Sequence, residues 1–90
     1  MVVLGNTEFF FKGKPVLAIV ALNGSKTEWY ASSLAKEIDC TFPHILKILA
    51  RFQELGLVSF RAVGRKKVVV LTTKGHKLAE GFLSLISFLK

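Results

Sequence analysis

The order of helical and strand patterns constrains the fold of this chain more than any other feature of its sequence. Two helical patterns lie close together, a short one at residues 34–38 and a longer one at 42–55. Two apolar, β-branched runs follow at 57–61 and 68–71, and a glycine with three consecutive cations separates them. The pattern therefore predicts two helices joined by a tight turn, with a β-hairpin beside them.

Further elements flank this unit. A helix that opens at Lys14-Pro15 and ends at Asn23-Gly24 has almost no polar face, so we expect it at the centre of the core. A short extended segment at 27–30 precedes the second helix, and Gly56 ends the third. The expected N-terminal caps of the second, third and last helices are Ser32 or Ser33, Thr41, and Thr72 or Thr73.

The predicted order is helix, short strand, helix, helix, strand, strand, helix. Ninety residues suffice for one small domain, with 14–80 as its core and 81–90 as the end of the last helix. The expected fold class is α+β and mainly helical, with a three-helix core, a two-stranded hairpin, a short third strand and a C-terminal helix. So short a chain leaves little room for a ligand pocket beside its core.

Charge narrows the class of partner. Thirteen Lys and Arg residues against six Asp and Glu give a formal net charge of +7, and such an excess favours nucleic acid or an acidic membrane surface. The single cysteine, Cys40, excludes an intrachain disulfide and fits a reducing compartment. Because the N-terminus lacks a basic signal-peptide region and no apolar run approaches about 20 residues, we expect a cytoplasmic, nucleoid-associated protein without a membrane span.

The third helix divides into two sides at about 3.6 residues per turn. The apolar side comprises Phe42, Ile45, Leu46, Ile48, Leu49, Phe52 and Leu55, and the other side comprises Cys40, His44, Lys47, Arg51 and Glu54, with Pro43 at its edge. A helix anchored by one side and basic on the other can enter a DNA major groove. We expect Thr41 and His44 to contact bases and Lys47 to bind a guanine edge or a phosphate. The alternative is the solvated side of an ordinary amphipathic helix.

The neighbours of this helix favour DNA binding. The hairpin tip Gly64-Arg65-Lys66-Lys67 suits a minor groove or a phosphate backbone, although an isolated run of cations is more often a solubilising turn. Hydroxyl and N–H groups at the start of the second helix can bind a phosphate. The expected DNA-backbone contacts are Ser32, Ser33, Lys36, Arg51, Arg61, Arg65, Lys66 and Lys67.

These segments resemble those of winged helix-turn-helix transcriptional regulators, particularly MarR-like and related archaeal regulators. The resemblance lies in residues 33–38, 45–49 and 52–58 for the helix-turn-helix, and in Gly64-Arg65, 71–75 and 78–79 for the wing and closing helix. It covers about residues 14 to 80, most of the chain.

The resemblance implies a homodimer that binds a palindromic operator, with the third helix reading bases and the hairpin as the wing. In that pattern Cys40, Thr41, Pro43, His44 and Lys47 occupy the reading positions. Pro43 departs from it, because it cannot donate a hydrogen bond where a polar residue is more usual. We therefore expect modest base readout, supplemented by DNA shape.

The last helix is apolar almost all around after residue 81, which is typical of an interface. We expect it to dimerise through Phe82, Leu85, Ile86 and Leu89, with Phe9, Phe10 and Phe11 contributing. The alternative is that this helix packs wholly on its own core.

The hypothesis is a double-stranded DNA-binding transcriptional regulator. The alternatives are a winged-helix protein-interaction module and a weakly specific chromatin-type protein. Scattered acidic residues argue against an enzyme, and no cofactor is expected. Cys40 and His44 share one side of the third helix, but such an isolated pair rarely binds metal or senses redox state, so no metal site is expected. The sequence assigns no small-molecule effector.

Overall fold

The structure, a computed structural model, describes residues 13–24 and 28–89, the last of these without its side chain. Its elements are α1 (Lys14–Leu22), α2 (Ala31–Glu37), α3 (Phe42–Glu54), β1 (Val58–Val63), β2 (Lys66–Leu71) and α4 (Thr73–Leu89). The predicted order of elements and the mainly helical α+β class are confirmed. The expectations for residues 9–11 and for a turn at 25–26 lie outside the described residues.

The connection between α2 and α3 is a helix-ending turn closed by backbone hydrogen bonds. Cys40 N donates to Ala35 O at 2.8 Å and Asp39 N to Lys36 O at 3.3 Å, which is the Schellman arrangement. Asp39 has a φ of 54°, a left-handed conformation that aspartate tolerates better than most residues. Four residues, 38–41, therefore suffice to end α2, turn the chain and begin α3.

The predicted cap of α2 is wrong. The N-cap is Tyr30, and Ser33 is the N3 residue of a capping box. The Oγ of Ser33 accepts from Tyr30 N at 2.9 Å and donates to Tyr30 O at 3.0 Å. The serine hydroxyl thus reaches back to fix the entry of the helix. Ser32 is exposed on the first turn.

The caps of α3 and α4 are confirmed. Thr41 Oγ1 accepts from His44 N at 3.3 Å, and Thr72 Oγ1 accepts from Gly75 N at 3.1 Å. At the end of α3, Gly56 has a φ of 74°, and Leu57 N donates to Phe52 O at 2.9 Å. A second Schellman turn therefore leads from α3 into β1.

The hairpin is longer than the sequence predicts. Val63 pairs with Lys66, so the strands continue to a two-residue turn of Gly64 and Arg65 instead of leaving residues 62–67 as a loop. Gly64 has a φ of 62°, as the first position of a tight hairpin turn requires. Trp29 forms a bridge to Val69, and Val69 N donates to Trp29 O at 2.7 Å. This bridge is the predicted short third strand.

One core joins these elements. It is formed by buried side chains from every helix and both strands: Ala18, Ile19, Leu22, Trp29, Leu34, Ala35, Ile38, Ile45, Ile48, Leu49, Phe52, Leu57, Val58, Val69, Leu71 and Ala79. α1 supplies Ala18 and Ile19, which are fully buried, but Leu17 on the same helix is 50% exposed, so α1 is less completely covered than its apolar sequence predicts.

The last helix has two parts. Leu78 and Phe82 pack against the core, whereas Leu85 and Phe88 beyond them are 59% and 87% exposed. Within residues 13–24 and 28–89, no helix combines the length and apolarity needed to cross a bilayer.

Candidate nucleic-acid interface

The surface of α3 has three stripes, where the sequence predicted two. Its core stripe is Ile45, Ile48, Leu49 and Phe52, all buried. Its reading stripe is Thr41, Pro43, His44 and Lys47, all exposed, so the structure brings the four predicted base-reading residues together at the start of one helix. Its groove stripe is Phe42, Leu46, Ala50 and Gln53, which line a groove beside the wing.

The groove stripe corrects the sequence interpretation. Phe42 and Leu46 were assigned to the anchoring side of α3, but they are 49% and 45% exposed. At about 100° per residue, they lie roughly a quarter turn or more away from the centre of the core stripe.

The turn that precedes the reading stripe is held in place by contacts at its α2 end. Lys14 Nζ, from α1, donates to Ile38 O at 2.8 Å and to Asp39 O at 2.7 Å. These bonds satisfy two carbonyls that the end of α2 leaves unpaired. The turn is thereby tied to α1, so the start of α3 is fixed before any ligand arrives.

The predicted cationic contacts differ in whether they form an ion pair with a carboxylate of the same chain. Arg51, half-exposed, lies 3.7 Å from Glu54 on the same helix, and Arg61 lies 3.7 Å from Glu28. Both pairs are solvent-exposed and therefore weak, so a phosphate can compete for these guanidinium groups. Lys36, Lys47, Arg65 and Lys67 are exposed.

Lys66 has a different environment. Its Nζ lies 5.1 Å from the centroid of the Tyr30 ring, within the range of a cation–π interaction. Because Ser33 holds the backbone of Tyr30, the start of α2 and the tip of the wing are linked through this contact. The hydroxyl of Ser33, a predicted phosphate contact, already bonds the backbone of Tyr30.

The wing is anchored where α3, β1 and α4 meet. Thr72 Oγ1 donates to Gly56 O at 2.6 Å, Thr72 N donates to Leu57 O at 3.0 Å, and Lys74 Nζ donates to Leu55 O at 2.8 Å. Gly75 packs directly on this junction. One cluster of bonds therefore sets the wing relative to the end of the reading helix.

The groove is the feature that sequence reasoning missed. It has a volume of about 430 Å³ and lies between the groove stripe of α3, the start of α2 and the wing. Phe60 and Val69 line its wing side, with Lys66 and Lys67 at the tip end. The sequence signal for this groove was the pair Phe42 and Leu46. These residues are four positions apart and lie to one side of the other apolar positions around the helix.

Cys40 and His44 do not assemble a metal site in the part of the chain that is described. Cys40 is half-buried with its Sγ 3.5 Å from Thr41 O. Within that part, no three His, Cys, Asp or Glu side chains lie close enough together to hold a metal ion.

The predicted dimer residues lie along the distal half of α4. Phe82 is half-buried against the core, Ile86 is half-buried and Leu85 is exposed. The side chain of Leu89 is not among those that the structure describes. Leu83 and Phe88 extend the exposed apolar surface.

Known proteins resemble this chain in sequence or in fold, although no known family model matches it. An uncharacterized protein of Archaeoglobus fulgidus is 28% identical over 61 residues, which are 68% of this chain and 64% of that protein. The chain thus spans less than two thirds of that relative.

Solved structures match over more of the chain. AF1382 from Archaeoglobus fulgidus has a TM-score of 0.81 and 24% identity, covering 94% of this chain and 97% of its own. MepR, a transcription regulator of the Staphylococcus aureus multidrug efflux pump MepA, has a TM-score of 0.79 and 23% identity over 86% of this chain and 58% of its own. A MepR–DNA complex matches with a TM-score of 0.78 and 22% identity, covering 92% of this chain and 70% of that one.

At these identities the likeness establishes the fold. The helix-turn-helix of α2 and α3, the β1–β2 wing and the closing α4 are therefore the parts of one architecture: the chain has a winged helix-turn-helix fold, which it shares with MepR and AF1382.

Proposed function

We propose that this protein is a double-stranded DNA-binding transcriptional regulator that acts as a homodimer in the cytoplasm, at the nucleoid. The observation that carries the proposal is the exposed reading stripe at the start of α3, the helix beside which the basic wing lies. The complex of MepR with DNA, a protein of the same fold, supports it.

The reading helix enters the major groove with its N-terminal turn. Thr41 and His44 present hydrogen-bonding side chains and Lys47 a cation, all exposed. Pro43 contributes no donor, so DNA shape supplements base readout. The N-cap bond uses one lone pair of Thr41 Oγ1 and leaves its hydroxyl proton for a base or phosphate.

The wing and the start of α2 bind the DNA backbone beside the reading helix. Arg65 and Lys67 at the wing tip neutralise phosphates, and Arg61 and Arg51 exchange their weak carboxylate partners for phosphate oxygens. Ser32 and Lys36 on α2 add further backbone contacts.

Dimerisation uses the exposed apolar surface at the end of α4. Leu83, Leu85 and Phe88 leave this surface uncovered in one chain, and such surface favours an interface. A two-fold axis there places two reading helices about 34 Å apart, one turn of DNA. Truncation after Glu80 then abolishes the dimer in sedimentation and weakens DNA binding; a truncated chain that still sediments as a dimer refutes this interface.

The test is binding to a random pool of duplex DNA, measured by fluorescence anisotropy across a salt series, followed by sequencing of the retained fraction. An enriched inverted repeat with steep salt dependence supports a dimeric, sequence-reading regulator. Steep dependence without enrichment indicates a chromatin-type protein. Absence of binding at low salt refutes DNA binding and leaves a protein-interaction module.

Two variants separate backbone contacts from base contacts. The double change Arg65→Ala, Lys66→Ala removes four cations from a dimer and should flatten the slope of log K against log salt by about 3.6, at about 0.9 per phosphate contact. Lys77→Ala, which removes an exposed cation of α4, is the matched control and should change it little. His44→Ala should instead reduce the preference between sequences.

A further inference from the structure

The side of α3 that faces away from the core carries a row of apolar residues. At about 100° per residue, Pro43 and Ala50 lie within roughly 30° of the direction opposite the core stripe, and Leu46 within roughly 70° of it. All three are exposed, Leu46 to 45%, and we call them the outward row. Glu54 continues this side at the end of the helix, where it lies 3.7 Å from Arg51. A single exposed leucine is ordinary on a protein surface, but this one lies at the centre of the side that a reading helix presents to DNA.

Cations lie on both sides of the outward row. Lys47 is exposed next to Leu46 on the helix, and Lys66 and Lys67 line the groove that Leu46 and Ala50 also line. At this surface a second copy of the chain, with its formal net charge of +7, is repelled and a polyanion is attracted. The charges therefore favour an anionic partner that carries small apolar groups.

The major groove of DNA combines these two properties. Phosphates border it, and among the four bases only thymine presents a methyl group there. Pro43 and Ala50 are about 10.5 Å apart along the helix axis at about 1.5 Å per residue, which is about three base-pair steps of about 3.4 Å. Small residues at both ends of the row let the backbone of α3 approach the base edges, and the longer Leu46 lies between them.

We propose that the outward row reads the 5-methyl groups of thymine by apolar contact, with Leu46 as the principal contact. The inference rests on the proposed function and deepens it. Thr41, His44 and Lys47 supply hydrogen bonds and charge, and the outward row adds discrimination that needs no donor. Pro43 belongs to both sets of residues, and its lack of a donor is no disadvantage in an apolar contact. The operator class that follows has thymine in each half-site, facing α3.

The test removes the methyl group alone. The probe is the duplex most enriched from the random pool, synthesised once with thymidine and once with deoxyuridine at every thymidine. Deoxyuridine keeps the hydrogen-bonding groups of thymidine and lacks the 5-methyl, so base pairing and phosphates are retained. Loss of one buried methyl should weaken binding about fourfold, and loss of one in each half-site of a dimer site about 15-fold. Fluorescence anisotropy at one salt concentration measures both affinities.

Variants at Leu46 assign the effect to the outward row. Leu46→Ala should lower the ratio of the two affinities from about 15 towards 1, whereas Leu46→Met keeps an apolar chain of similar volume and should retain most of it. Leu17→Ala is the matched control, because Leu17 is 50% exposed on α1, and its ratio should equal that of the unchanged chain. Circular dichroism checks the fold of each variant. If Leu46→Ala does not fold, Leu46→Gln, which keeps the length of the side chain and makes it polar, decides the result in its place.

Three results overturn the inference. The first is equal affinity of the unchanged chain for the two duplexes, and the second is an unchanged ratio in Leu46→Ala, which would place the methyl contact elsewhere. The third is a retained pool without an enriched sequence, or with one whose half-sites lack thymine. Each of these leaves DNA binding itself in place, whereas absence of binding at low salt refutes the proposed function and this inference with it. The two failures are therefore distinguishable.

Discussion

Gly75 allows the closing helix to sit directly on the junction that anchors the wing. A Cβ built at this position would lie 2.8 Å from Leu71 Cδ2 and closer still to the carbonyl oxygen of Leu57. That carbonyl also accepts from Thr72 N at 3.0 Å, so it cannot move without breaking a bond of the junction. Gly75→Ala is therefore expected to destabilise the fold, although alanine is the better helix former.

The magnitude follows from two opposing effects. Overpacking a close contact costs about 1–3 kcal/mol, and an immovable backbone oxygen places this site at the upper end. Replacing a helical glycine by alanine returns about 1 kcal/mol. The net loss is about 2 kcal/mol for Gly75→Ala. For Gly81→Ala on the same helix, where a Cβ meets nothing within 4 Å, only the gain of about 1 kcal/mol remains.

Thermal unfolding followed by circular dichroism measures both variants at one protein concentration, because a dimer is stabilised by mass action. At about 4–8 °C per kcal/mol, Tm should fall by about 8–16 °C for Gly75→Ala and rise by about 4–8 °C for Gly81→Ala. If Gly75→Ala is as stable as Gly81→Ala, α4 does not pack on the junction as described, and the account of how the wing is anchored fails.

Three further changes test local features. Thr41→Ala removes the cap bond to His44 N and should cost about 1 kcal/mol in urea unfolding, whereas Thr41→Ser should retain most of it. Thr72→Ala should cost about 1–2 kcal/mol by the same assay, because it loses its bond to Gly56 O as well as its cap; a loss equal to that of Thr72→Ser would contradict both bonds. Gly64→Val forces a β-branched residue to a φ of 62° and should cost about 1–2 kcal/mol, while Gly64→Asn should be tolerated, as NMR shifts confined to the wing tip would show.

Part of the architecture could be predicted from the sequence because the signals for it are local. Thr41, Gly56 and Thr72 mark the ends of helices through bonds to residues within a few positions, and the structure contains the expected turn and cap bonds. The reading stripe could be predicted in the same way, since the helical repeat brings Thr41, His44 and Lys47 to the same side whatever the rest of the chain does.

Other features depended on contacts between distant segments. The sequence placed Ser32 or Ser33 at the cap of α2, but Tyr30 takes that position because the bridge at Trp29 holds the preceding residues extended. The wing strands extend to Val63 and Lys66 because an exposed two-stranded ladder accepts cations, which the apolar pattern alone could not indicate.

The sequence by itself determined the order of elements, the caps of α3 and α4 and the excess of positive charge, because each of these depends on residue type and short spacing. Only the tertiary structure decided which apolar residues are core. Phe42 and Leu46 are apolar like the buried residues of α3, yet they line an open groove, because burial depends on which elements pack over each side of the helix. The contacts that hold those elements, at Gly75 and Thr72 and between Lys66 and Tyr30, join segments remote in the chain.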